Sequence, residues 1–414
     1  TDYGRFWSFP EPGSFAGTRE EAVRALRERV DHAVGGHLLS DVPVGLFLSA
    51  GVDSSAIASV CSRLGRSLET WTYSTAEGGK DDETPVAAEV ARLFNLPHRT
   101  VTISASGLQS GFGQFVGGLD QPTVDGFNTW LMARACRQHG HKVALSGLGG
   151  DELFGGYAGM RRMPWLYRVN QALRVLTPPG RRALVRLIGL RLSPCQREKL
   201  AELLRPDWTL NELALSRRRL FSRLSLKRLG FGDVDWSLNA IDLPLESDLY
   251  SGTLPAFPKA AIGVLDARFY MRNMLLRDAD VCGMAHGVEI RVPWLDRGVA
   301  DLAFSLPGKW RQPRGGINKP LLVEAAGVPA FVYNRRKTGF SLPYTRWLKT
   351  EWRDQRDASL ASLAGRGFLE GSVIRSVCRD FEAYPNGPEW SRVWMLMVLE
   401  GWWASFFSPG GNGP

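Results

Sequence analysis

An apolar run that ends in a small polar turn and then resumes at helical spacing constrains this chain more than any other feature. Val42 to Leu48 (VPVGLFL) reads as a buried strand, and Ser54 to Leu64 (SSAIASVCSRL) carries apolar residues at helical intervals. Between them lies Ser49-Ala50-Gly51-Val52-Asp53-Ser54-Ser55. Gly51 has dihedrals open to it that other residues lack. Ser49, Ser54 and Ser55 offer hydroxyls and amides at a helix N-terminus, where the dipole favours anions. Pyrophosphate is the anion such a cradle suits. A carboxylate there repels phosphate unless a divalent cation lies between them, so Asp53 is read as a magnesium ligand shared with phosphate oxygens. The Lys followed by Ser or Thr of a Walker A loop is absent. A loop that instead holds the β- and γ-phosphates as a departing unit suits cleavage between the α- and β-phosphates, with an adenylated intermediate. Taken alone, the stretch is equally well an ordinary βα turn.

A second segment of the same kind changes that balance. Val143 to Gly156 (VALSGLGGDELFGG) is a short apolar strand followed by a Gly-rich turn and an acidic pair. Two such turns can lie side by side at the carboxyl edge of one parallel sheet, where Asp53 and Asp151 would clamp one metal ion. The surrounding pattern agrees. Strands are expected near Val42–Leu48, Leu68–Ser74, His98–Ile103 and Val143–Leu145, and helices near Ser54–Leu64, Thr84–Phe94 and Asn128–Gln138. This alternation predicts an α/β fold, a doubly wound parallel sheet with helices on both faces.

Around that core, residues 1–17 are rich in Pro, Gly and aromatics and read as a linker or lead-in. Thr18-Arg19-Glu20-Glu21 is a capping-box pattern that opens a helix to about Val34. The nucleotide-binding core is expected over 18–160. A Leu/Arg-rich helical insert follows over 161–258, with Pro164, Pro178, Pro179 and Pro194 as breaks, and a further helical part over 259–407 returns to the site. Glu389 to Phe407 is bulky and apolar all round, which predicts a buried terminal helix. Residues 408–414 have almost nothing to pack and are expected to be disordered. The first residue is Thr, as in a piece of something longer.

Composition excludes several classes. Hydrophobic residues make up 44% and charged residues 22% of the 414, which fits a globular enzyme. No apolar run is long enough to cross a membrane, and no membrane partner is expected. Cys61, Cys136, Cys195, Cys282 and Cys378 are scattered and odd in number, as free thiols in a reducing, cytoplasmic compartment would be. The six histidines form no metal-ligand pattern, so no structural zinc is expected. The formal charge of +9 draws on Arg161-Arg162, Arg181-Arg182, Arg217-Arg218-Arg219 and Lys227-Arg228. These are read as a solvated helical face, ahead of a nucleic-acid surface, because no RNA-binding signature accompanies them.

Together the two turns resemble the synthetase domain of glutamine-hydrolysing asparagine synthetases, within the ATP pyrophosphatase superfamily and its adenine nucleotide alpha hydrolase-like fold. Asp278-Ala279-Asp280, Met284 through Asp296 (MAHGVEIRVPWLD) and Arg336-Lys337-Thr338-Gly339-Phe340 look like that family's later blocks, in its order. The resemblance implies that ATP and magnesium activate a carboxylate, that of aspartate in this family, as an acyl-adenylate, and that ammonia displaces AMP to give asparagine. It allots Ser49, Gly51, Asp53, Ser54 and Ser55 to the pyrophosphate, Asp53 and Asp151 to magnesium, and Leu48, Ser74 and Gly147 to adenine and ribose. Lys337 would stabilise charge on the α-phosphate and the tetrahedral carbon. Glu289 and Arg291 would form a buried pair, structural or catalytic.

Two departures bear on the carry-over. Ala50 replaces the family's usual second glycine in the first turn, which is harmless if φ there stays negative. Leu148 stands where asparagine-forming members carry an acid, so a neighbour such as Glu152 or Glu289 serves instead, or the acceptor amine differs, or the substrate carboxylate is held differently. Glutamine-dependent members also begin with a cysteine that hydrolyses glutamine, and none precedes Cys61. Ammonia would come free or from a glutaminase domain outside this chain. Four readings stand: asparagine synthesis, a relative that closes a β-lactam, cyclises a peptide or amidates a sugar acid, a tRNA-binding member, and a non-catalytic scaffold.

Overall fold

The computed structural model describes residues 6–75, 82–205, 210–232, 258–311, 316–335 and 342–407. Two compact units form. The first comprises Thr1–Ile103, Thr129–Pro164 and Leu254–Phe340, the second Ser104–Asn128, Trp165–Thr253 and Ser341–Pro414. The division between the two units falls at residue 340, inside the expected 259–407 part. Residues 408–414, expected to be disordered, lie outside the described residues.

The first unit is built on five parallel strands: β1 (Val44–Phe47), β2 (Glu69–Thr75), β3 (His98–Ile103), β4 (Val143–Leu145) and β5 (Glu289–Arg291), in the order β3-β2-β1-β4-β5. The four strands expected from apolar runs form within a residue or two of their expected limits. β5 was not expected, since Glu-Ile-Arg carries too little apolar character to announce a strand. It exists through pairing, with Val143 opposite Glu289 and Leu145 opposite Arg291. The strand order reverses between β1 and β4. With right-handed crossovers that reversal sends the connecting helices to opposite faces and leaves a crevice at the carboxyl ends of the two central strands.

The helix Arg19–His37 starts at the capping box read from sequence. Thr18 accepts from the Glu21 amide at 3.2 Å and the Glu21 carboxylate from the Thr18 amide at 2.7 Å. Its Leu26 and Val30 join Ile57 and Val60 of the helix Val52–Arg63 and Leu321 and Leu322 of the helix Pro320–Ala326 in one buried core. Burying each such side chain contributes roughly 1.5–3 kcal/mol. The lead-in is not a loose linker where it is described: the Gly13 amide donates to the Ser305 carbonyl at 2.8 Å, and the Phe9 ring meets Phe304 edge-on at 4.8 Å.

Gly45 of β1 leaves room for the fully buried Trp71 of β2, since a Cβ at Gly45 would lie 1.8 Å from Trp71 Cζ3. Gly45→Ala is expected to destabilise the protein by about 1–3 kcal/mol through overpacking. A urea midpoint unchanged from wild type would contradict this reading.

In the second unit, Phe112, Phe115, Phe127, Tyr344, Trp352 and Trp394 pack their rings together, and Trp352 Nε1 donates to the Ala105 carbonyl at 2.9 Å. The terminal helix Glu389–Phe407 is buried over its first part, while Phe407 is 59% exposed. It also carries buried charges, of which Glu400 is held by Arg366 at 2.6 Å and Ser362 at 2.7 Å. Pro178 and Pro194 open helices at their first turn, where a missing amide costs nothing, behind the caps Thr177 and Ser193. Pro164 is no break. It lies inside the helix Ala158–Ala172.

Candidate active site

Both Ser/Gly/Asp turns emerge at the carboxyl edge, from the adjacent central strands β1 and β4. In the first, hydroxyls knit the backbone. The Ser49 and Ser54 Oγ atoms lie 2.9 Å apart, the Ser49 amide donates to Ser54 Oγ at 3.0 Å, and the Gly51 amide donates to Ser49 Oγ at 3.1 Å. Ser55 is fully buried, and its Oγ has no hydrogen-bond partner among the described residues. Gly51 caps the following helix with φ −82° and ψ 152°, an ordinary extended conformation. Its special dihedrals are therefore not used. Glycine is wanted because a Cβ there would press on Ser49 Oγ at 3.1 Å. Ala50 keeps out of the left-handed region and donates its amide to Glu83 at 3.3 Å.

The second turn folds directly onto the first. A Cβ on Gly147 would lie 2.8 Å from the Asp53 Cβ, and one on Gly150 would lie 2.2 Å from Asp53 Oδ1. Gly149 turns the chain with φ +89° into the short helix Gly150–Phe154. Asp53 and Asp151 thereby converge. The cation between them is the ammonium of Lys319, which contacts Oδ2 of Asp53 and Oδ1 of Asp151. Its side chain is fully buried. Burial alone would depress the Lys319 pKa, but the charges of Asp151 and Asp53 outweigh it and hold the group above its ordinary value. Lys319 stands at φ +53° just before the helix Pro320–Ala326, a conformation uncommon outside glycine that aims the side chain at the two turns.

Glu152 lies beside this cluster, 1% exposed, with Oε1 accepting from the Tyr157 hydroxyl at 2.8 Å. Burial first and the Asp151 charge second push its pKa up to about 7, against the Tyr157 hydrogen bond and the Lys319 charge. Leu48 and Ser74 sit near the carboxyl ends of β1 and β2. The Leu48 carbonyl accepts from Thr72 Oγ1 at 2.5 Å, and Ser74 Oγ donates to Asp82 at 3.4 Å. The half-buried Leu148 occupies the second turn itself.

Glu289 is elsewhere. Its pairing with Val143, the first residue of β4, puts it at the amino end of the sheet, and its side chain is 58% exposed. The expected pair with Arg291 forms at 2.8 Å but is not buried. Arg291 also donates to the carbonyls of His37 at 2.8 Å and Leu39 at 2.7 Å, so the pair ties β5 to the end of the first helix. The Arg291 hydrogen bond holds Glu289 below the usual carboxylate range. Glu289→Gln should leave activity intact and shift stability by under about 1 kcal/mol. What stability the pair contributes is present above the ordinary glutamate pKa and is lost as pH falls through the lowered value. A large activity loss on that substitution would restore Glu289 to the chemistry.

Lys337, the cation singled out from the sequence, lies outside the described residues. Lys319 was missed. The only local signals are a lysine set before Pro320 and an apolar helix and the glycines just upstream, none of which points to a partner 266 residues away.

Both turns lie within the span of a family match. The asparagine synthase family model matches residues 25–404. Asparagine synthetase [glutamine-hydrolyzing] 1 of Bacillus subtilis (strain 168) is 30% identical over 389 residues, covering 92% of this chain and 59% of that protein. A putative asparagine synthetase [glutamine-hydrolyzing] of Mycobacterium bovis is 31% identical over 415 residues, 97% of this chain and 60% of its own. A partial match reaches Amidase chry2 of Gibberella zeae, 29% identical over 175 residues, or 38% of this chain. The chain spans about three fifths of the length of the synthetases it matches. It belongs to the asparagine synthase family.

Proposed function

We propose that this chain is an ATP-dependent, amide-forming carbon–nitrogen ligase that activates a carboxylate, aspartate foremost, as an acyl-adenylate and releases AMP and pyrophosphate. The observation that carries this reading is the convergence of Asp53 and Asp151, from two turns on adjacent strands, upon one buried cation. Ser49, Gly51, Ser54 and Ser55 would cradle the departing pyrophosphate at the start of the helix Val52–Arg63. Lys319 would face the phosphates as a fixed positive charge, and Lys337 would serve the α-phosphate and the tetrahedral carbon. Leu48, Ser74 and Gly147 would border the nucleoside.

Two carboxylates suit magnesium, which keeps water and takes substrate phosphates in its remaining positions. Among the described residues no third acidic, His or Cys side chain joins them to make a closed metal cage. Asp53 and Asp151 would hold the ion, which would neutralise phosphate charge. Glu152 would serve where Leu148 lacks an acid; its burial and raised pKa, about 7, support that reading. Ammonia would arrive free or from a glutaminase domain, as the names of the relatives suggest. Free thiols at all five cysteines fit a cytoplasmic setting. Leu148 favours a second reading, a relative that forms another amide through the same adenylate.

Exchange of pyrophosphate into ATP, with aspartate set against a panel of carboxylates, tests both readings. Asp53→Ala should abolish the exchange, by a factor of about a thousand or more. Aspartate-dependent exchange supports asparagine synthesis, and exchange with another acid alone supports the second reading. No exchange with any acid would sink the ligase assignment.

A further inference from the structure

The charge of this chain is concentrated in one place that the proposed chemistry does not use. Residues 153–197 contain nine arginines, no lysine and no acidic residue, so this stretch alone carries the +9 of the whole chain. Its centre is the amphipathic helix Pro178–Gly189 of the second unit. Ala183, Leu187 and Leu190 recur at the i, i+4, i+7 spacing of one helical face, and that face is turned to solvent. Leu187 is 69% and Leu190 79% exposed, and Val175, in the turn that leads into the helix, is 85% exposed. Arg182 and Arg186 flank the apolar stripe on one side and Arg191 on the other, all exposed. Among the described residues none of these three guanidiniums has a carboxylate partner.

A surface helix normally turns its leucines inward. This one exposes a leucine stripe with Arg182 and Arg186 along one side and Arg191, just past the helix end, on the other, which suits a helix lying in a lipid–water interface: the apolar stripe enters the acyl boundary and the long arginines reach back to the headgroups. We propose that the helix Pro178–Gly189 docks this chain on the surface of an anionic phospholipid bilayer. Charge complementarity selects an anionic partner, and guanidinium pairs well with phosphate. The exposed stripe selects lipid over nucleic acid, whose phosphate backbone would take the arginines but give Leu187 and Leu190 nothing to bury against. An exposed helix face is convex, and a bilayer yields to a convex face, whereas a protein partner must bring a matching groove. Lying on the surface is a different matter from crossing it. Among the described residues no helix is long and apolar enough to cross a membrane.

The test is co-sedimentation of the whole chain with phosphatidylcholine vesicles made with and without phosphatidylglycerol. Retention is expected on the anionic vesicles, falling as salt screens the charges. An Arg182→Gln, Arg186→Gln, Arg191→Gln variant should bind about a hundredfold more weakly, at roughly fivefold for each arginine near a charged surface. A Leu187→Ser, Leu190→Ser variant should also lose retention. Both change only exposed side chains, so pyrophosphate exchange and circular dichroism should match wild type and report an intact fold. Three results would each overturn the proposal: no retention on anionic vesicles, undiminished retention of the leucine variant, or binding to RNA or an acidic protein without binding to vesicles.

Discussion

Lys319→Met is expected to cut carboxylate-dependent pyrophosphate exchange by about a hundred- to a thousandfold, the usual cost of removing one fixed donor aimed at developing charge. Methionine matches the length of the side chain and removes its charge. What remains is two neighbouring carboxylates, Asp53 and Asp151, without the ammonium between them and with side chains only 20% and 16% exposed. Removing one partner from a buried ionic cluster costs about 3–5 kcal/mol, and the variant should melt well below wild type in the absence of divalent ions. Added magnesium should raise its melting temperature more than that of wild type, because a divalent ion neutralises the same two carboxylates. The two roles of Lys319 then separate. If magnesium returns stability but not exchange, the ammonium acts on the phosphates. Full recovery of both would reduce Lys319 to a structural tie, and wild-type exchange without recovery would remove it from the site.

Gly156→Ala is the second large effect. The added Cβ would fall 1.8 Å from Asp151 Oδ1 and 2.2 Å from Lys319 Cε, so neither side chain could stay in place. Stability should fall by about 1–3 kcal/mol, as for other overpacked positions. Activity should fall further than stability, because a shift of about 1 Å at a positioned group costs on the order of a hundredfold. Gly36 is the matched control. It lies in the helix Arg19–His37 with nothing within 4 Å of an added Cβ, so Gly36→Ala should leave exchange unchanged and stabilise by up to about 1 kcal/mol. Equal behaviour of the two variants would show that the close approach at Gly156 is of no consequence to the site.

Most of the sheet was legible because its signals are local. Val44–Phe47 and Val143–Leu145 are apolar runs ended by glycine and serine, and Thr18 with Glu21 writes a helix start within four residues. Pro164 misled for the opposite reason. A proline disfavours a helix interior by its own geometry, yet Pro164 lies within the helix Ala158–Ala172. β5 escaped notice because three residues alternating in polarity become a strand only when β4 is already there to pair with.

The sequence by itself determined the chemical inventory of the candidate site: hydroxyls and small residues in two turns after buried strands, and an aspartate in each. Residue identity and short-range spacing are enough for that. Only the tertiary structure decided that the two aspartates meet, that a lysine 266 residues from Asp53 lies between them, and that Glu289 sits at the far end of the sheet. Those outcomes depend on strand order and on which end of a strand a residue occupies. They are set by burial and pairing between segments far apart in the chain, which no local pattern encodes.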